Sequence, residues 1–314
     1  MDKIVIVGRG FVAGKFREAL SNNTPGPRRE VIMSGADITD PFQIRSMIQQ
    51  DTPGIIINCA GKTGRPNIDW CEDPENRAST WASNVFGPLV LAKECLAKNI
   101  YLVHIGSGCI YEGDNGGKGF SEVDPPNFSG SFYSRTKIEA ERSLSFLSDS
   151  MGANSDSMGA TILQLRLRMP LDGIPSDRNL ITKITRYRQV ISVQNSVSVM
   201  DDFFKAAITL INSRESGIFN VVNPGSISHE EILEMYSRIV DPSHSYEHIT
   251  VKQLEAVTIA RRSNCVLNTS KVEKLLAKSG VAMREVHEAV EDAMNKYKDH
   301  VMRSTSFRRV PQHQ

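Results

Sequence analysis

Lys3-Ile4-Val5-Ile6-Val7-Gly8-Arg9-Gly10-Phe11-Val12-Ala13-Gly14 opens the chain and carries its clearest structural signal. Lys3 to Val7 is a continuous apolar run, of the kind a strand shows when both faces of a parallel sheet are covered. Gly8, Gly10 and Ala13 then make G-x-G-x-x-A between that strand and a helix expected through Leu20. Gly8 allows a tight turn, Gly10 lets the backbone approach a pyrophosphate, and the small Ala13 lets helix and strand pack closely. The N-terminus of the helix faces the phosphates. Strand before and helix after turn a weak pattern into a dinucleotide-binding expectation, with Gly8, Arg9, Gly10, Phe11 and Val12 as cofactor contacts.

The same alternation continues outward. Arg28 to Ser34 reads as a second strand. It ends Met33-Ser34-Gly35, without the acid that would hold a ribose 2′-hydroxyl, while Arg9, Arg28 and Arg29 lie near it in sequence. That leans towards a 2′-phosphate, hence NADPH, with NADH as the alternative. Asp37 and Ile38 either meet the adenine or form a helix cap before Pro41. Phe42 to Gln50 suits a helix and Gly54 to Asn58 a buried strand. Cys59, Ala60 and Gly61 follow, small residues at a strand end where a cofactor passes. Asn84 to Lys98 reads as a helix, Tyr101 to Ile105 as a strand, Tyr133 to Phe146 as a helix and Thr161 to Leu167 as a strand. The fold class is therefore α/β, a doubly wound parallel sheet of the Rossmann type with a smaller C-terminal substrate lobe. Residues 1–167 are expected to form the nucleotide-binding domain, its sheet completed by about 195–222. Val199 to Ile211 there suits a helix and Gly217 to Val222 a strand. Residues 168–194 and 223–300 form the substrate lobe, with helices at Glu230 to Ile239 and Val272 to Leu276. Asp149-Ser-Met-Gly-Ala153 recurs as Asp156-Ser-Met-Gly-Ala160, so Ser143 to Ala160 reads as an extended surface loop. The tail frays from about Asp299, and 301–314, with Arg303, Arg308 and Arg309, is expected to be disordered.

Composition excludes several classes. A net charge of +1 over 314 residues leaves no electrostatic footprint for nucleic acid or membrane. No apolar run approaches the ~20 residues of a membrane helix. The N-terminus enters a strand directly, with no visible signal peptide. The 5 cysteines are odd in number and show no C-x-x-C pairing, which fits reduced thiols in the cytoplasm and no zinc site. His244 and His248 share H-x-x-x-H spacing but lack the adjoining glutamate of a zinc protease, so no metal is expected.

Chemistry gathers at Tyr133 and Lys137. Four residues apart on a helix, both side chains leave the same face. A neighbouring ammonium favours phenolate and is expected to lower the tyrosine pKa from ~10. Such a tyrosine can protonate a carbonyl oxygen as hydride arrives at the carbon. Ser107 follows the strand that begins at Tyr101 and could reach the same crevice edge. Ser107, Tyr133 and Lys137 together make a plausible constellation for carbonyl reduction.

The glycine loop, Ser107 and Tyr133-x-x-x-Lys137 resemble an extended short-chain dehydrogenase/reductase. GKTGRPNIDWCE (61–72), GSGCIYE (106–112), NFSGSFYSRTK (127–137), LRLRMP (165–170), NLITKITRY (179–187), NPGSISHEEILEMY (223–236) and RRSN (261–264) resemble one branch of it. That branch is the bifunctional UDP/dTDP-4-keto-6-deoxyglucose 3,5-epimerase/4-reductase, which forms the C-terminal domain of plant-type UDP-rhamnose synthase. The resemblance covers nearly the whole chain. The glycine loop is one residue shorter than the family's usual first turn, and Ser107 stands where threonine is common.

The resemblance implies that Ser107 holds the carbon-4 carbonyl, Tyr133 is the general acid, and Lys137 binds the nicotinamide ribose and tunes Tyr133. It implies that Cys109 and Lys183 are the epimerising pair. By themselves these two read as a small core residue and a solvated helix lysine. The chemistry fits the pairing, because carbons 3 and 5 flank the ketone and their protons are acidic through an enolate. A thiol with pKa ~8.5 and a buried amine can each be tuned towards neutrality. Thr63, Arg65, Asn67, Arg168, Asn179, Arg262 and Asn264 match substrate-contacting motifs. The implied function is 3,5-epimerisation and NADPH-dependent 4-keto reduction of UDP-4-keto-6-deoxy-D-glucose to UDP-L-rhamnose. The alternatives are a reductase acting alone on dTDP-4-dehydrorhamnose and a non-catalytic NADP-binding regulatory subunit of the same fold. The partners to consider are the nucleotide-sugar substrate, a second copy in a homodimer, and a separate 4,6-dehydratase acting first.

Overall fold

A computed structural model describes residues 3–21, 29–152 and 161–307. β1 (Ile4–Val7) is buried at every position and pairs in parallel with β2 (Val31–Ser34) on one side and β3 (Ile55–Asn58) on the other. β4 (Tyr101–Ser107), β5 (Ile162–Leu167) and β6 (Gly217–Asn220) extend the sheet beyond β3, again in parallel. The chain changes direction across the sheet at β1, so a crevice opens where Val7 stands between Ser34 and Asn58.

Both faces of the sheet are covered, and alternate residues of β1 go to opposite sides. Ile4 and Ile6 pack with Phe16 of α1 (Phe11–Ser21), Phe203 and Leu210 of α7 (Met200–Asn212) and Leu276 of α10 (Ser270–Lys278). Val5 and Val7 pack with Ile44 and Met47 of α2 (Pro41–Asp51), Leu91 and Cys95 of α4 (Gly87–Ala97) and Leu144 of α5 (Phe132–Gly152). That double burial is why the strands read as unbroken apolar runs.

A separate cluster forms the core of the C-terminal lobe. It joins Leu180, Ile181 and Ile184 of α6 (Leu180–Ile184), Ile232 and Leu233 of α8 (His229–Ile239), and Val286, Val290 and Met294 of α11 (Val286–Phe307). Two short parallel pairings, Pro170–Leu171 with Ser198–Val199 and Gln189–Val190 with Glu247–His248, tie its loops together. α9 (Val251–Val257) has no buried residue.

Several boundaries differ from the sequence pattern. The helix expected from Asn84 begins ten residues earlier, at α3 (Pro74–Trp81), capped by Asp73 with Pro74 in its first turn. A single π-helical turn, Ala82–Phe86, joins α3 to α4. α5 runs to Gly152 rather than Phe146, so Ser143 onwards continues the helix and absorbs most of the first repeat copy. The second copy lies within 153–160, outside the described residues. α11 continues to Phe307, past Asp299 and Arg303 where fraying is expected from the sequence. Its buried face of Val290, Ala293, Met294 and Tyr297 carries it through the lobe. Residues 308–314, with Arg308 and Arg309, lie outside the described residues, as does Arg28. The cap of α2 is Asp40, not Asp37: Asp40 accepts from the amides of Phe42 and Gln43. Ile38 is buried against Gly87, where an added Cβ would lie 2.5 Å from its Cγ1, so it contributes to the core.

Candidate active site

The glycine loop places the backbone of β1 against the end of β3. Gly8 has φ +110°, and a Cβ there would come within 2.9 Å of the Ala60 nitrogen, so no other residue fits this turn. Gly10 by contrast faces open space. The Arg9 guanidinium lies over Gly35, where a Cβ would collide with it at 1.9 Å. A cation therefore covers the end of β2, the position at which an acid would select a free 2′-hydroxyl. Asp37 stays exposed beyond that end, its carboxylate held by the amide and hydroxyl of Thr39.

Next to this loop opens a cleft of about 1060 Å³ between the sheet and the C-terminal lobe. It is lined by Gly10, Phe11 and Val12, by Cys59, Ala60 and Gly61, and by Ser107, Cys109, Tyr133 and Lys137. Thr63, Asn67, Lys183, Arg262 and Asn264 complete the expected residues that reach it.

The start of α5 is pinned to the end of β4. Ser131 caps the helix through the amide of Ser134 at 3.0 Å, and the Ser134 hydroxyl donates to the Cys109 carbonyl at 2.6 Å. These bonds bring Tyr133 beside Ser107, whose hydroxyl acts on the phenol. Lys137, one turn on, extends its amine into the crevice, 3.4 Å from the Ile105 carbonyl and 6.0 Å from the centre of the Tyr133 ring. Gly61 passes close to both it and Asn84: a Cβ there would lie 3.8 Å from Nζ, an ordinary contact, and 3.2 Å from Asn84 Oδ1, a tight one.

The electrostatics correct one expectation. Burial pushes the Tyr133 phenol well above its ordinary value, and the nearby Ser107 hydroxyl only partly offsets this. The Lys137 amine lies 3.4 Å from the Ile105 carbonyl, and burial of the phenol outweighs the expected lowering by its charge. Lys137 itself is pulled down to about 8 by burial, with Cys109 and Glu141 acting in the opposite sense. The tyrosine is thus a protonated donor at neutral pH and the lysine titrates near it.

Cys109 lines the same cleft. Its amide donates to Ser107 Oγ at 3.1 Å, and its sulfur accepts from Arg168 at 3.3 Å. Arg168 is 1% exposed and also donates to Ser263 Oγ, the Ser263 carbonyl and Asn195 Oδ1. It does not line the cleft; it backs Cys109, and the expected substrate contact gives way to a buried support. Asn179 is likewise fully buried. It caps α6 through Ile181 N and holds the backbone of Asp172 and Ile174, which positions Lys183 one turn later. Lys183 lines the cleft with its pKa lowered by burial and by Arg178. Arg65 is exposed and outside the cleft.

Other participants escaped the sequence pattern. Asn84, in the π-helical turn, accepts from Lys62 N at 2.7 Å and donates to the Lys62 carbonyl and Thr136 Oγ1, clasping the loop after β3 to α5. Arg178 donates to Thr63 Oγ1 and the Gly64 carbonyl, both at 3.1 Å. With Lys62, Lys183, Arg186, Arg188 and Arg262 it makes the cleft wall cationic, suited to a diphosphate. Arg262 is held by Asp69 through two bonds of 2.7 and 3.0 Å. Surface arginines carry no sequence signal for such convergence. Among the described residues no cluster of His, Cys, Asp and Glu could hold a metal ion, and no helix is long and apolar enough to cross a membrane.

Comparison with known proteins agrees with this geometry. The RmlD substrate binding domain family matches residues 2–151. A bifunctional dTDP-4-dehydrorhamnose 3,5-epimerase/dTDP-4-dehydrorhamnose reductase of Arabidopsis thaliana is 38% identical over 75% of this chain and 76% of its own. A trifunctional UDP-glucose 4,6-dehydratase/UDP-4-keto-6-deoxy-D-glucose 3,5-epimerase/UDP-4-keto-L-rhamnose-reductase of the same plant is also 38% identical, over 76% of this chain and 34% of its own. Among solved structures, the L780 UDP-rhamnose synthase of Acanthamoeba polyphaga mimivirus superposes with a TM-score of 0.84 at 28% identity, covering 94% of this chain and 100% of that one.

Proposed function

We propose, for a chain that belongs to the RmlD substrate binding domain family of nucleotide-sugar reductases, that it epimerises UDP-4-keto-6-deoxy-D-glucose at carbons 3 and 5 and reduces the 4-ketone to give UDP-L-rhamnose. One observation carries this reading. A single cleft joins the Ser107–Tyr133–Lys137 group to two further proton carriers, the Cys109 thiol and the Lys183 amine.

NADPH fits the residues present. Gly10 is open to the crevice, the backbone at Gly8 packs on Ala60, and Arg9 covers the end of β2 where a 2′-phosphate would need a cation. Bound there, it would supply the hydride. The chain's own residues do the rest. Ser107 hydrogen-bonds the carbon-4 oxygen and polarises it. That polarisation makes the protons at carbons 3 and 5 removable, and it is shared by both reactions. Cys109 and Lys183 take and return those protons. Tyr133 delivers its proton as carbon 4 is reduced, and Lys137 beside it assists through its charge. The cationic wall of Arg178, Arg188 and Arg262 holds the diphosphate. A 4-keto-6-deoxyhexose must be formed before this enzyme acts. A 4,6-dehydratase is the class of enzyme that supplies it, and the trifunctional relative carries one in the same polypeptide.

The reductase-only alternative differs in one measurable property. With NADPH withheld and the keto sugar in deuterated water, the wild-type protein is expected to label carbons 3 and 5. Cys109→Ala and Lys183→Ala should each lose label at one or both carbons, while Tyr133→Phe still exchanges. Absence of exchange in the wild type, together with intact reduction of a pre-epimerised substrate, would leave a reductase alone.

A further inference from the structure

Arg168, just past the end of β5, is a buried cation without an anion. It is 1% exposed, and its guanidinium donates to Cys109 Sγ at 3.3 Å, Ser263 Oγ at 3.2 Å, the Ser263 carbonyl at 2.7 Å and Asn195 Oδ1. Its Nε has no hydrogen-bond partner among the described residues. Arg166, two residues earlier and equally buried, grips Glu141. Arg168 meets no carboxylate among the described residues; each of its partners is a neutral oxygen except the Cys109 sulfur. A guanidinium keeps its charge at every working pH, and a buried charge is costly unless paired.

The titratable groups around it differ in what they can offer. His229 is held neutral by burial and then by Arg168, its pKa pushed down to about 4. Cys265 is 1% exposed, its thiol is raised by burial, and its Sγ donates to the Gly108 carbonyl at 3.4 Å. Cys109 is partly exposed and lines the cleft, and its sulfur accepts from the guanidinium. A negative charge can form there against Arg168, and a substrate proton can reach it. Tyr133 and Lys137 of α5 also feel a charge on Cys109. Lys137 loses its own charge near 8, whereas Arg168 keeps its charge throughout.

We propose that Arg168 is a positioning residue for epimerisation: acting through Cys109, its guanidinium holds the thiolate that takes a proton from the sugar ring. This deepens the nucleotide-sugar reading above and rests on it. The thiolate takes the proton of carbon 3 or 5. The electron pair of that C–H bond passes into an enolate, whose charge sits on the carbon-4 oxygen held by Ser107. The Lys183 ammonium returns a proton to the opposite face, which leaves the ketone, a thiol and a neutral amine. Proton exchange of these two with water restores the thiolate and the ammonium.

The test follows deuterium uptake at carbons 3 and 5 of the keto sugar against pH, with NADPH withheld, for the full chain as wild type, Arg168→Gln and Arg168→Lys. The ultraviolet absorbance of the Cys109 thiolate, taken as the difference from the same protein carrying Cys109→Ala, is titrated alongside. In Arg168→Gln the rising limb of the exchange profile and the thiolate absorbance should both move to higher pH by about 1–3 units, the effect of one adjacent opposite charge. On that limb exchange should fall about tenfold or more. Arg168→Lys loses the same fork of hydrogen bonds but keeps a cation, so it should recover most of the exchange. Should the glutamine variant fail to fold, Arg168→Met fills the same space without charge and carries the same comparison. Two variants that lose exchange alike at every pH, or an uncharged variant with the wild-type profiles, would overturn the role of Arg168 and leave the nucleotide-sugar reading intact. A wild type that takes up no label would overturn the epimerase reading, and this role with it.

Discussion

Tyr133 acts as an acid only while it holds its proton, and burial keeps it protonated at neutral pH. Tyr133→Phe keeps the ring and removes the donor. Reduction should fall by roughly 10²–10⁴-fold, the range for a general acid, with little change in cofactor affinity. Lys137 sets the pH dependence. Its amine is charged below about 8 and neutral above it, so the reductase rate should decline as pH rises through that value. A rate profile from pH 6.5 to 9.5 tests this, and Lys137→Arg, which cannot deprotonate in that range, should lose the decline. The sign for stability runs the other way. Between about 8 and the unfolded value the unfolded chain binds more protons, so the burial penalty of Lys137 is full below about 8 and is relieved as pH rises.

α5 works because β5 holds it. Arg166 on β5 is 1% exposed and grips Glu141 of α5 with two bonds of 2.7 Å, while also donating to Asn220 of β6. Glu141 stands one turn beyond Lys137, so the pair anchors the helical face that carries the chemistry. Arg166→Met would strand a buried carboxylate. Chemical denaturation should show a loss of about 3–5 kcal/mol, the cost of breaking a buried pair by removing one partner. A loss under about 1 kcal/mol would mean that the helix is held by its apolar contacts alone.

Across the whole molecule, Asp69 ties the nucleotide-binding part to the segment that returns from the C-terminal lobe. It accepts from Arg262 twice and from Ala260 N at 2.9 Å. Burial raises the carboxyl, but the bonds from Arg262 and the backbone outweigh it and hold the pKa below the usual range. The tie is therefore complete above the unfolded value and is lost as pH falls through the lowered one. Because the pair is partly exposed, it is worth about 1 kcal/mol. Asp69→Ala should raise KM for the keto sugar roughly fivefold and leave NADPH affinity unchanged. Steady-state kinetics with each substrate varied in turn separates the two. An equal change in both would show that the tie shapes the cofactor crevice as well.

The sequence by itself determined whatever is written in local periodicity. The strand, glycine turn and helix at Ile4–Ser21 follow from a buried apolar run and two glycines. The doubly wound order follows from strands and helices taking turns, and the shared face of Tyr133 and Lys137 from a helical spacing of four. Ser107 was legible from its place after the strand at Tyr101, and Cys109 and Lys183 through resemblance. Only the tertiary structure decided what surrounds each group, because burial and pairing come from residues far away in the chain. Tyr133 is raised rather than lowered because the fold buries its phenol. Arg168 supports Cys109 because residues 195 and 263 close around its guanidinium. Ile38 is core because Gly87 lets it in, and Asn179 is spent on a cap. The cationic wall arises where residues 178–188 meet Arg262, and no window of sequence contains both.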